Sequence, residues 1–106
     1  MSIILLQLFF VMSYFIYIMS NKHRTVFYVG VTNDLRARIK EHRLHTGGYF
    51  TCKYNCDDLI YYERFDSILD AIYREKQLKR WKRDWKEKLI RKLNPEMKDL
   101  SDHWFG

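Results

Sequence analysis

The sequence predicts an α+β domain, on three observations. Two aromatic, β-branched runs lie close together across a short polar stretch, a third such run follows later, and other segments carry apolar residues at helical spacing. With 106 residues, one core fits and a second does not. Hydrophobic residues at 47% and aromatics at 17% argue for a packed globule and against disorder.

Residues 1–11 are almost wholly apolar, and with residues 14–19 they make an uncharged run of about 19 residues, the length of a membrane span. That run has neither a basic leader nor a small-residue cleavage site, and its second half reads better as a strand, so a membrane anchor is not expected. Met12 reads as the start of the folded unit, residues 12–106, with residues 1–11 an apolar N-terminal extension.

The first strand is expected from Tyr14 to Met19. Ser20 to Thr25 is polar, so the simplest join to the second strand, Phe27 to Gly30, is an antiparallel hairpin that Gly30 ends. Alternation puts Tyr17 on a face with Phe15 and Met19 and pairs Tyr28 with Val26. Thr32 or Asn33 is the expected cap of a helix that runs to about Arg43 or Leu44. His45 to Asn55, with Gly47 and Gly48, reads as a mobile connection. Leu59 to Phe65 is the third strand. Asp66 or Ser67 caps a long helical region reaching about Leu93, with a break near Trp81 to Asp84, and Asn94-Pro95 stops it because proline disfavours helix in the residue before it.

The net charge of +6 is unevenly spread. From Arg74 to Lys92 there are ten Lys/Arg against Glu75, Asp84 and Glu87, a local excess of +7. Such a stripe is a solvated helical face, a nucleic-acid contact or a basic membrane-surface helix, and Tyr73, Trp81 and Trp85 interleaved with the charges favour the second. Its cations Lys76, Lys79, Arg80, Lys82 and Arg83 are the expected phosphate contacts.

Cys52 and Cys56 fit a reduced, cytoplasmic protein better than a stapled secreted one. With His42 and His45 they form an H-x2-H, C-x3-C set at zinc-ligand spacing. A chain of this size needs no metal staple to fold, and His42 has a better use.

Polar residues on apolar faces carry the chemistry. Leu35, Arg38, Ile39 and His42 follow the i, i+3, i+4, i+7 pattern, so an arginine and a histidine lie on or beside the buried stripe of the first helix. In the long helix Glu75 falls among Ile68, Ala71, Ile72 and Leu78, where a carboxylate is costly unless it is paired, for example with Arg38, or holds a metal. Two phenols, a guanidinium, an imidazole and a carboxylate converging on one face match metal-assisted phosphodiester hydrolysis. A lone carboxylate suits Mg²⁺, and an arginine holds a phosphate oxygen bidentately as charge builds.

These residues resemble the GIY-YIG nuclease family, in particular its small stand-alone bacterial members related to the nuclease half of the bacterial excision-repair enzyme. The similarity runs from about Met12 to Trp104. It rests on Ile16-Tyr17, on Tyr28-Val29-Gly30 followed by Val31 to Arg38 and His42, and on the downstream runs Tyr54 to Asp57, Leu59 to Glu63, Arg74 to Lys79 and Leu93 to Glu96. The family's leading glycine is Phe15 here and Val29 replaces an isoleucine; neither change removes a reactive group.

The resemblance implies a three-stranded antiparallel sheet flanked by helices and an endonuclease that cuts DNA in repair or recombination, with one Mg²⁺ or Mn²⁺ and no small-molecule cofactor. Tyr17 and Tyr28 match the two motif tyrosines, the first implied as general base or activator of water. Arg38 matches the arginine that stabilises the transition state, His42 a histidine that accepts a proton from tyrosine, Glu75 the metal-binding glutamate and Asn94 a late asparagine near the site. Gly30 is implied to let the backbone turn where the nucleic acid approaches. The alternative is a DNA-binding module of the same fold without turnover.

Overall fold

The structure, a computed structural model, describes residues 12–46 and 48–105; the apolar extension at residues 1–11 lies outside them. The elements are β1 (Tyr14–Ser20), β2 (Phe27–Thr32), α1 (Leu35–Arg43), α2 (Tyr49–Lys53), β3 (Asp58–Phe65), α3 (Ile68–Arg80) and α4 (Arg83–Leu93). The three strands form an antiparallel sheet in the order β2-β1-β3. No helix among the described residues is long and apolar enough to cross a membrane.

Because β1 lies in the middle with helices over both faces, Ile16 to Ser20 are all buried and the strand reads as a continuous apolar run. Its odd-numbered side chains face one way: Tyr17 and Met19 pack with Leu35 and Ile39 of α1, with Cys56 and with Leu59. Ile16 and Ile18 face the other way, against Ala71 and Leu78 of α3, Ile90 of α4 and Met97. A bulge opposite Ile18 and Met19 leaves Ile60 as an extra residue in β3, so Ile60 and its neighbour Tyr61 both enter the α3 side of the core.

Several boundaries depart from expectation for local reasons. Gly30 does not end β2, which runs on to Thr32 because Val31 and Thr32 still pair with Ile16 and Phe15. Asp34 caps α1, accepting from the Ala37 N–H at 3.1 Å, while Thr32 Oγ1 accepts from the Asp34 N–H; the ordered cap sits one or two residues later than the sequence pattern places it. Within the connection expected to lack structure, Tyr49–Lys53 forms the short helix α2, and the Thr51 hydroxyl donates to the Gly48 carbonyl at 2.9 Å. The long helical region does break, with Trp81 and Lys82 both extended. Neither glycine nor proline lies there; Trp81 instead packs against the core from the turn and sits under the Arg74 guanidinium.

The C-terminal segment binds the layers together. Asp99 Oδ1 accepts from the Leu59 N–H, its Oδ2 pairs with Arg43 at 2.7 Å, and the Leu100 N–H donates to the Leu59 carbonyl at 2.7 Å. On the α3 face Glu63 receives the Tyr61 hydroxyl and the Nε–Nη2 edge of the Arg74 guanidinium, which pins α3 to β3.

Candidate active site

Register explains how Tyr17 is held. In the ladder it stands opposite Gly30 on β2 and Tyr62 on β3. A Cβ added to Gly30 would lie 2.4 Å from both Cζ and the hydroxyl oxygen of Tyr17, so the phenol lies across the glycine's bare Cα. Gly30 therefore makes room for a ring and does not turn the chain: no described glycine has a positive φ.

Helical spacing then lowers His42 onto that ring. Leu35, Ile39 and His42 form the buried stripe of α1, and the Tyr17 hydroxyl meets His42 Nε2 at 3.2 Å. Tyr28 closes the group, its ring centroid 6.3 Å from that of Tyr17 and 5.8 Å from that of His42. His42 is 2% exposed and its Nδ1 is buried without a hydrogen-bond partner among the described residues. Tyr17 is wholly buried, so the half-buried Tyr28 and Arg38 are the members of the group nearest to solvent.

The electrostatics of this pair are set by burial and by Arg38. Burial raises the Tyr17 phenol well above its ordinary value, the Tyr28 phenol adds to the rise, and Arg38 opposes it. Burial, helped by Arg38, holds the His42 imidazole below its ordinary value. At rest both groups are neutral. Where Nε2 accepts the phenol proton, Nδ1 carries the imidazole hydrogen and is the unpartnered atom.

Arg38 does not pair with Glu75. Its Nε lies 3.3 Å from Glu41, a residue that sequence reasoning passed over although its i, i+3 spacing from Arg38 was available. Arg38 lines a groove of about 230 Å³ with Tyr14, Val31, Thr32, Asn33, Ile68 and Ile72, which places the start of α3 across the groove from α1. Glu75 is one turn beyond Ile72 on the same side of α3. Its side chain is 16% exposed, and its one ion pair among the described residues is a 3.4 Å contact to Lys79. A single, mostly buried and weakly paired carboxylate is a donor set that fits a hard divalent cation, which keeps most of its waters.

Other expected site residues are engaged elsewhere. Asn94 lies outside the group, on the β3 side: its amide donates to the Ile60 and Lys98 carbonyls at 2.9 and 2.8 Å while its Oδ1 accepts from the Lys98 N–H at 3.0 Å. With every amide group satisfied by backbone, it is a clamp on the C-terminal segment. Arg83 donates to the carbonyls of Arg24 and Thr25, lies over the Phe27 ring and pairs with Glu87, so it fastens the β1–β2 turn and is not free for phosphate. Lys76 and Arg80 are exposed beside Tyr73, and Lys82 is exposed at the start of α4. The zinc-like set does not assemble. His42 bonds Tyr17, His45 bonds Asp57 at 3.0 Å, and no group of three or more candidate ligands occurs among the described residues.

The chain is similar to known proteins over most of its length. The profile of the GIY-YIG catalytic domain matches residues 13–88, a stretch that includes Tyr17, Tyr28, Arg38, His42 and Glu75 and stops short of Asn94. The chain is 32% identical over 77 residues to a UPF0213 protein of Natronomonas pharaonis, spanning 73% of this chain and 89% of that one. It is 30% identical over 76 residues to the UPF0213 protein of Bacillus pumilus, spanning 72% and 78%. The solution NMR structure of a UPF0213 protein from Bacillus halodurans superposes with a TM-score of 0.53 at 28% identity, over 80% of this chain and 89% of that one.

Proposed function

The chain belongs to the GIY-YIG family, and from that membership we propose that it is a divalent-metal-dependent endonuclease that hydrolyses DNA phosphodiester bonds, with a place in repair or recombination. The observation that carries this reading is the contact between the Tyr17 hydroxyl and His42 Nε2, sealed by Tyr28 and biased by Arg38.

Arg38 binds a non-bridging oxygen of the scissile phosphate through its guanidinium fork, holding the charge that grows as water attacks phosphorus and the bond to the leaving oxygen breaks. The attacking water gives its proton to the Tyr17 oxygen as that phenol passes its own proton to His42 Nε2, so the proton ends on the imidazole. Arg38 eases the loss of the phenol proton but also weakens the imidazole as its acceptor, so the negative phosphate drawn to Arg38 is what favours the protonated His42. Glu75 would hold Mg²⁺ or Mn²⁺, which would supply positive charge for the leaving oxygen. Lys76, Arg80 and Lys82 contribute phosphate contacts along the nucleic acid.

The test is nicking of supercoiled plasmid by the full chain. With Mg²⁺ the wild type converts it to relaxed circles, chelation stops the reaction, and Glu75→Gln loses both nicking and Mn²⁺ binding read by electron paramagnetic resonance. A folded wild type that leaves the plasmid intact in both metals overturns the enzyme and leaves a DNA-binding module.

A further inference from the structure

The outer surface of α3 and α4 carries exposed rings and further cations beside the phosphate contacts Lys76 and Arg80. Two shallow grooves meet at Trp81. One, of about 270 Å³, is lined by Tyr73, Lys76, Gln77, Arg80 and Trp81. The other, of about 320 Å³, is lined by Trp81, Trp85, Lys88, Leu89 and Lys92. Tyr73 is 72% exposed and Trp85 51%, a high degree of exposure for rings that large. Trp85 is presented by an edge-on contact with Trp81, which is itself fixed by the core and by Arg74. The cations Lys76, Arg80, Lys88 and Lys92 make no ion pair among the described residues, although other charges on the same helices do.

Each half follows the rise of its helix. Tyr73 to Arg80 and Trp85 to Lys92 each span about 10 Å along the axis, so rings and cations alternate on one continuous surface. Lys76 joins this surface to the Arg38 groove, because it lies one turn from both Ile72, which lines that groove, and Tyr73, which opens this one. A strand leaving Arg38 over the edge of α3 thus meets Lys76 first and then the aromatic grooves.

The geometry points to a docking site for single-stranded nucleic acid adjoining the cleaved bond, with bases stacked on Tyr73 and Trp85 and phosphates on Lys76, Arg80, Lys88 and Lys92. This rests on the nuclease reading above and names the form of substrate: a duplex that ends in, or is interrupted by, a single strand. The alternation of cations with exposed rings selects that occupant. A paired duplex offers phosphates but keeps its bases stacked on each other, whereas an unpaired strand offers both phosphates and free base faces.

Fluorescence anisotropy with the full chain, in EDTA so that nothing is cut, decides the matter. Three probes are compared: a blunt duplex, the same duplex with a thymidylate tail of about twelve nucleotides, and one with a uridylate tail of that length. The thymidylate tail is expected to tighten binding about tenfold and to quench tryptophan fluorescence, with Trp85→Ala and, separately, Tyr73→Ala removing most of that advantage and Trp85→Phe restoring it. Lys88→Ala with Lys92→Ala lowers the salt slope for the tailed probe by about 1.4. Equal binding of tailed and blunt probes overturns the proposal, as does a tail advantage that survives both aromatic variants. So does a surface that binds vesicles of phosphatidylglycerol through Trp85 and ignores either tail. An advantage confined to the uridylate tail moves the site to RNA and overturns its link to the cleaved DNA. Failure here with intact plasmid nicking leaves the nuclease standing; tail binding by a chain that never nicks leaves the docking site standing.

Discussion

A methyl group at Gly30 would stand 2.4 Å from Tyr17 Cζ, so Gly30→Ala has to push the phenol or part β1 from β2. The expected loss is about 1–3 kcal/mol in urea unfolding, together with impaired nicking, because Tyr17 can no longer meet His42. His42 gives the site a pH signature. Burial and Arg38 hold its imidazole below the ordinary 6.5, so just under that pH the folded chain binds fewer protons than the unfolded one. Stability from the neutral imidazole is complete above about pH 6.5 and is lost as pH falls through the folded value. Urea midpoints measured between about pH 7.5 and about pH 5 should fall with acid in the wild type, and more shallowly in His42→Leu. The sequence shows Tyr17, Tyr28, Arg38 and His42 through motif order and helical spacing. It does not show why Gly30 is needed, since that depends on which residue the ladder sets opposite Tyr17.

At the scale of the element, helices and strands are legible where one period runs for several turns, as in α1 and α3. The short α2 is hidden because five residues carry too little pattern; the break at Trp81-Lys82 is legible in the sequence, but its cause, a side chain reaching the core, is not. Asn94 illustrates the opposite error. Its position just after α4 matches a late asparagine near the family's active site, but its three backbone hydrogen bonds make it a clamp between Ile60 and Lys98. Asn94→Ala should therefore cost about 1–3 kcal/mol of stability and leave the nicking rate unchanged at temperatures where the variant is folded. Arg83→Ala is expected to loosen the β1–β2 turn, lowering the melting temperature by a few degrees with an unaltered salt slope for DNA binding, since its guanidinium already serves Arg24, Thr25 and Glu87.

Across the whole molecule, two jobs occupy adjoining surfaces. One face and the β2 edge gather Tyr17, Tyr28, Arg38 and His42, with Glu75 on the helix across the groove; the outer side of α3 and α4 carries cations and exposed rings. The basic stripe is visible in the sequence as a count of charges, but which of its members are free is not. Lys79 leans to Glu75 and Arg83 is tied down, while Lys76 and Arg80 remain open. The arrangement stands or falls on Arg38, among the described residues the one cation set beside the buried phenol and imidazole. Single-turnover nicking of plasmid in Mg²⁺, wild type against Arg38→Ala, both verified as folded by their melting curves, is the deciding measurement. The rate should drop about a hundredfold or more, and equal rates would show that the phosphodiester is broken somewhere other than at this site.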